Sequence, residues 1–181
     1  GTLVRFFYFE RNWTTKSSEF LEKKQLRIAN PLFHFGLLCV IGGHVVGVLV
    51  PKAWTAAIGI NDHMYHEGAL YMGAVAGIIF IVGFLLLMKR RFTVPAMKVN
   101  TSGLDKWLYL FLTLAIFSGM AGTLLNASGF FDYRVSIGPW FRSLLSFMPD
   151  PSLMEGVPFM FKFHMLAWMV VAIIFPFSRL V

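Results

Sequence analysis

The sequence predicts an all-α fold, a polytopic transmembrane helical bundle, on three observations. Four apolar runs, roughly 31–50, 67–88, 107–127 and 157–181, match the length of about 20 residues that spans a bilayer core as helix. Hydrophobic residues make up 57% of the 181-residue chain and charged residues only 14%, against about 25% charged in soluble domains; mean hydropathy is +0.67. Lys and Arg gather between the apolar runs. No soluble domain fits in the connections, so residues 1–181 read as a single transmembrane domain.

The leading segment, 1–30, opens on GTLVRFFYF, which reads like the end of an apolar helix at an interface. The stretch RNWTTKSSEFLEKKQLR that follows is too polar to span and reads as a cytoplasmic connection or interfacial helix. The first run, PLFHFGLLCVIGGHVVGVLV, contains no Lys, Arg, Asp or Glu. Pro31 fits its start and Pro158 the start of the fourth run, because the missing N–H costs nothing there. Pro176 lies inside the fourth run and predicts a kink or the end of its regular part. The second and third runs are nearly free of acids at mid-membrane.

Charge sets the orientation. Segment 1–30 carries Arg5, Arg11, Lys16, Lys23, Lys24 and Arg27, and 89–106 carries Lys89, Arg90, Arg91, Lys98 and Lys106. The 51–66 connection has only Lys52, and 128–156 only Arg134 and Arg142. The positive-inside rule therefore makes 1–30 and 89–106 cytoplasmic and puts the other two outside. The fourth helix returns to the cytoplasm near Arg179.

Three histidines sit within these runs: His34 and His44 on the first, His164 on the fourth. An ionisable group in hydrocarbon costs a few kcal/mol and is rarely placed there without a task. Imidazole is a common axial ligand of haem iron. His34 lies near the inner end of its helix, and His44 is ten residues on, about 15 Å further out at 1.5 Å per residue. The fourth helix runs the opposite way, with His164 seven residues past Val157. His44 and His164 are thus at similar depth, toward the outer face, and the pair predicts a bis-histidine haem and a transmembrane electron carrier. The competing reading is buried histidines hydrogen-bonded to neighbouring helices. His34 has no histidine partner near the inner face within these residues.

Gly36, Gly42, Gly43 and Gly47 crowd the histidine-bearing helix. They fit close approach of a porphyrin face and ordinary small-residue helix packing, Gly43-x-x-x-Gly47, equally well. His63 and His66 in NDHMYHE have the i, i+3 spacing of one helix face, at the outer boundary. They read as interfacial polar residues or as part of a quinone pocket in which Tyr65 or His66 meets a quinone oxygen. Lys89-Arg90-Arg91 reads as a positive-inside anchor, or as a partner for haem propionates or a cytoplasmic protein. The lone Cys39 excludes an intrachain disulfide, a four-cysteine zinc site and a cluster held by this chain's thiolates. The net charge of +7 does not indicate a nucleic-acid partner, because the cations sit between apolar runs.

The segments NPLFHFGLL, GGHVVGVLVP, FLLLMKRR, TSGLDKWLYL and FMFKFHMLAWMVVAIIFPFSRL resemble, in order and spacing, the gamma or cytochrome b subunit of respiratory nitrate reductase. The ten-residue histidine separation and the FPFSRL ending are its most specific pieces. The resemblance implies a five-helix subunit of a prokaryotic cell membrane, with four spans in this chain, that binds two b-type haems and oxidises quinol near the outer face. It implies as partners a cytoplasmic iron–sulfur subunit and a molybdenum catalytic subunit that reduces nitrate. By position, His44 and His164 hold the outer haem, His34 the inner one, and Arg91 binds a propionate. The inner haem's second ligand falls at the position after Val181, which makes the chain part of a longer one. A lysine of the quinol pocket in some members falls near Met64 or Tyr65, so its role passes to Tyr65 or His66 or is lost; Gly43 completes the expected pocket. Two rivals stand beside this reading: a dihaem anchor of a sulfite or heterodisulfide reductase, and a haem-free membrane anchor or transporter.

Overall fold

A computed structural model describes residues 25–178. The predicted cytoplasmic or interfacial segment before Gln25 and the return near Arg179 lie outside the described residues. The described residues form helices, with no strand among them: α1 Leu26–His44, continued by a π-helical turn Val45–Leu49; α2 Lys52–Ala57; α3 Asp62–Thr93; α4 Pro95–Val99; α5 Gly103–Leu125; α6 Ile137–Leu145; and α7 Phe159–Ile174. Single 3₁₀ turns follow at Pro151–Met154 and Phe175–Phe177. Four of these segments are long and apolar enough to cross a membrane: Leu26–Leu49, Asp62–Thr93, Gly103–Leu125 and Phe159–Phe177.

Prolines and caps explain the boundaries. Pro31 is not the helix start that its chemistry suggested; α1 begins at Leu26 and carries Pro31 in its second turn. Only the hydrogen bond to the carbonyl four residues back is lost there, while Ala29 is fully buried. Pro51 stops the π turn. Asn61 caps α3 by accepting from the Met64 N–H at 2.9 Å, which places His63, Tyr65 and His66 in the first turns of α3. At 32 residues, α3 is about 48 Å long, more than a bilayer core of about 30 Å; its ends project or it tilts. Ser102 and Asp105 form a reciprocal capping box at the start of α5. Pro158 precedes the first residue of α7, and regular α structure ends at Ile174, two residues before Pro176.

The bundle is built from two tight pairs, α1 on α3 and α5 on α7, joined through α3 and α5. Glycines permit the first pair. A Cβ on Gly36 would lie 2.6 Å from the Phe80 backbone nitrogen, and one on Gly83 would lie 2.3 Å from that of Phe33. Phe80, Phe84 and Ile116 fill the space between α3 and α5; Leu108, Ala115, Ala167 and Val171 fill that between α5 and α7. Tyr71, Met72, Val75, Ile78, Val82 and Leu85 lie exposed along α3. An apolar surface of this extent marks contact with a membrane or with another protein.

Gly36 therefore belongs to helix packing, whereas a Cβ on Gly42 or Gly43 would meet nothing within 4 Å. Gly83→Ala should destabilise the protein in detergent by about 1–3 kcal/mol, as read by thermal or denaturant unfolding, and Gly42→Ala should not. Equal behaviour of the two variants would contradict the α1–α3 contact.

Candidate functional site

α1 and α7 share no packed face, yet each turns a histidine toward the other across the space between them. The ring centroids of His44 and His164 are 5.9 Å apart, with the planes inclined by 32°. Each ring is fixed by a backbone carbonyl. His44 Nδ1 lies 2.7 Å from the Val40 oxygen and His164 Nδ1 2.9 Å from the Ala115 oxygen. Nδ1 must carry the proton to make these bonds, so Nε2 holds the free lone pair in both rings. Ligand histidines are ordinarily oriented in this way through the ring nitrogen that does not bind metal.

The pair fits an iron between its rings. A metal–imidazole bond is about 2 Å long; two such bonds plus the ring radii separate opposed centroids by about 6 Å. Among the described residues no three His, Cys, Asp or Glu side chains converge, so a six-coordinate ion held here would need its other donors from its own ligand, as a porphyrin supplies them. α5 provides a cradle for the ring on α7. A Cβ on Gly119 would stand 2.8 Å from His164 Cε1, so only glycine lets the ring lie there. The buried Ser118 hydroxyl is 3.3 Å from His164 Nδ1.

His34 repeats the arrangement alone. Its Nδ1 lies 2.9 Å from the Asn30 oxygen and its ring meets Phe33 edge-on. No other histidine of the described residues shares its level. Arg91 stands eight residues beyond Gly83, the α3 residue that touches Phe33, about 12 Å closer to the cytoplasmic end. It lies 3.7 Å from the fully buried Asp105 and 5.6 Å over the Tyr109 ring, and its buried Nε has no hydrogen-bond partner.

The outer end of the bundle is closed by the loop after α5. Asn126 holds it through two bonds with the Phe131 backbone, 2.9 and 3.0 Å. Phe131 packs on Phe161, three residues before His164. Tyr133 and the Tyr65 hydroxyl close on Gly47, three residues after His44, where a Cβ would approach them to 3.0 and 3.2 Å. Burial, with Tyr65 adding to it, pushes the Tyr133 phenol well above its ordinary range, so it remains a neutral hydroxyl. His66 Nε2 lies 3.1 Å from the Ala127 oxygen; donating there leaves Nδ1 as its acceptor. The residues expected at a quinol pocket thus divide. Tyr65 and His66 line this closure, while Gly43 faces open space one residue before His44.

Two features here escaped the sequence reading. The π turn, ended by Pro51, leaves the Val48 carbonyl without a helical partner, and Arg142 donates to it at 2.7 Å. Arg134, only 4% exposed, stacks its guanidinium 3.7 Å from the Tyr65 ring centroid and donates to Thr55. Lys52 ties the same layer together, bridging Asp62 at 2.8 Å and Asp132 at 2.9 Å.

Fold and composition define an all-helical integral membrane protein with two histidine-bearing helices facing each other. The chain belongs to the nitrate reductase gamma subunit family, whose description matches residues 1–181. It is 47% identical to the nitrate reductase gamma chain of Bacillus subtilis (strain 168), covering all of this chain and 82% of that one. It is 38% identical to the nitrate reductase-like protein NarX of Mycobacterium tuberculosis (strain ATCC 25618 / H37Rv), covering 28% of that longer protein. It is 28% identical to the respiratory nitrate reductase 1 gamma chain of Escherichia coli (strain K12), of which 81% is covered. The protein is a membrane electron-transfer subunit of an oxidoreductase complex and associates with other nitrate reductase subunits.

The ion pairs at Lys52 raise its pKa above the ordinary 10.5, chiefly through Asp62 and then Asp132. Their contribution is complete at neutral pH and is lost only as pH rises through that raised value. Exposed pairs contribute about 0–1 kcal/mol, so Lys52→Met should leave global stability nearly unchanged. It should speed hydrogen exchange in the 126–136 loop, measured by mass spectrometry; unaltered exchange would show that the Lys52 pairs do not hold the loop.

Proposed function

We propose that the chain oxidises quinol near the outer face of a prokaryotic cell membrane. Electrons then pass inward through two b-type haems to a cytoplasmic iron–sulfur subunit, and a molybdenum catalytic subunit reduces nitrate. The observation that carries this reading is the His44–His164 pair, with both Nδ1 atoms tied to carbonyls, in a chain of the nitrate reductase gamma family. That family favours nitrate over the sulfite and heterodisulfide rivals.

When bound, haem supplies one-electron redox chemistry; the protein supplies ligands, orientation and exclusion of water. His44 and His164 hold the outer haem through Nε2, and the carbonyls of Val40 and Ala115 strengthen both as donors. His34 holds the inner haem in the same way, with a second ligand from outside the described residues. Arg91 has an Nε available for a propionate of that haem. Gly43, Tyr65 and His66 position the quinol: the open face at Gly43 admits the ring, and Tyr65 with the free Nδ1 of His66 receives a hydroxyl. His66 Nδ1 takes one of the two quinol protons and the other passes to water at the outer face, so both protons leave on the outer side while the two electrons move inward. That separation contributes to a proton-motive force.

His44→Ala and His164→Ala should each remove the same haem from the reduced-minus-oxidised spectrum of the membrane complex. Loss of spectrally different haems would break the pairing. Gly119→Ala, whose Cβ would crowd the His164 ring, should weaken occupancy of that haem alone. The double change Tyr65→Phe, His66→Phe should slow quinol-driven haem reduction on the order of a hundredfold with both haems retained; unchanged stopped-flow kinetics at limiting quinol would move the pocket elsewhere.

A further inference from the structure

The 131–134 loop roofs the gap between the two histidine-bearing helices. It touches α7 one turn outward of His164, through Phe131 on Phe161. It touches the π turn one turn outward of His44, through Tyr133 at Gly47. Arg134 sits in that roof, 4% exposed. Its guanidinium is 3.7 Å from the Tyr65 ring centroid, and Tyr65 itself reaches Gly47. One Nη donates to Thr55, while the buried Nε has no hydrogen-bond partner.

A guanidinium carries a permanent charge. Burying it costs several kcal/mol unless an anion and full hydrogen bonding compensate. The aromatic face and the hydroxyl offset part of that cost but carry no formal charge. Among the described residues no carboxylate forms an ion pair with the Arg134 side chain; Asp132 accepts from its backbone N–H at 3.0 Å and bonds Lys52 through its other oxygen. A planar fork with an unused N–H suits a carboxylate.

We infer that Arg134 is the counter-charge of a propionate of the outer haem, its unpartnered Nε available to a carboxylate within the loop that roofs the gap between His44 and His164. This rests on the haem reading above. It adds a residue from the outer loop that neither the histidine spacing nor the charge pattern singled out, and it gives the buried cation in the roof a chemical reason. Tyr65 then has two tasks: one face of its ring carries Arg134, while its hydroxyl points to Gly47.

The test uses the purified complex at alkaline pH, where an unpaired propionate stays ionised. Haem content, the outer haem's midpoint potential and the propionate bending band in resonance Raman spectra are measured for the unmodified protein, Arg134→Gln and Arg134→Lys. Arg134→Gln should keep both haems and shift the outer haem's reduction equilibrium about tenfold toward the oxidised form, ~59 mV for one electron. The propionate band should move with it, and Arg134→Lys should fall between. If Arg134→Gln keeps its haems with potential and band unchanged, the inference is overturned. A shifted potential with an unmoved band also overturns it, because the charge would then act without contact. Should Arg134→Gln not accumulate in membranes, Arg134→Lys decides, because it keeps the charge and loses the planar fork. A smaller shift of potential and band in the same direction supports the contact, and none overturns it. Absence of haem from the unmodified complex would instead sink the underlying reading, which separates the two failures.

Discussion

An imidazole in hydrocarbon has two nitrogens to satisfy and no water to satisfy them. That constraint governs the protein. His34 and His44 meet half of it locally, by donating from Nδ1 to the carbonyl four residues back on their own helix. His164 does so across an interface, at Ala115 on α5. The aim of its ring therefore depends on how α5 packs on α7. Small residues at that contact, Ala115 and Ala167, keep the two helices close, and Gly119 leaves room for the ring. Each ring is then left with one unsatisfied nitrogen directed into a space that neither helix fills.

The pairing of His44 with His164 was legible in the sequence because depth in a membrane follows from counting. Antiparallel helices of known rise level the two residues whatever the packing. Helix existence was legible for the same reason: apolar length is a strong signal. Boundaries were less so. Pro31 argued for a helix start, but one missing hydrogen bond is a small loss in a helix that continues into its polar flank. Asn61, the N-cap of α3, marks its true start, several residues ahead of the apolar pattern. Gly119 was invisible because its role is a distance to a residue 45 positions away, and a glycine in a span has many possible reasons. Arg134 was counted as an orientation charge; its burial follows only from how the loop folds over Gly47 and Phe161.

The outer layer shows how local chemistry becomes tertiary closure. Pro51 cannot continue the helix, so the π turn ends with the Val48 carbonyl unmatched, and Arg142 from α6 answers it. Gly47, inside that turn, has no side chain, and two tyrosines occupy the room. Lys52 then ties the start of α3 to the loop through Asp62 and Asp132. These contacts gather α2, α3, α6 and the loop over the one gap that the histidines bracket. Tyr65 is thereby brought to Gly47, one turn along from His44.

The central claim is that one iron is held by Nε2 of His44 and Nε2 of His164, with both Nδ1 atoms protonated. Electron–nuclear double resonance on the ferric complex, with ¹⁵N-labelled histidine, reads this directly. A low-spin outer haem coupled to two histidine nitrogens, each ring showing an exchangeable Nδ1 proton, is the predicted result. A high-spin iron coupled to a single histidine, or a second axial ligand that is not a histidine, would contradict it.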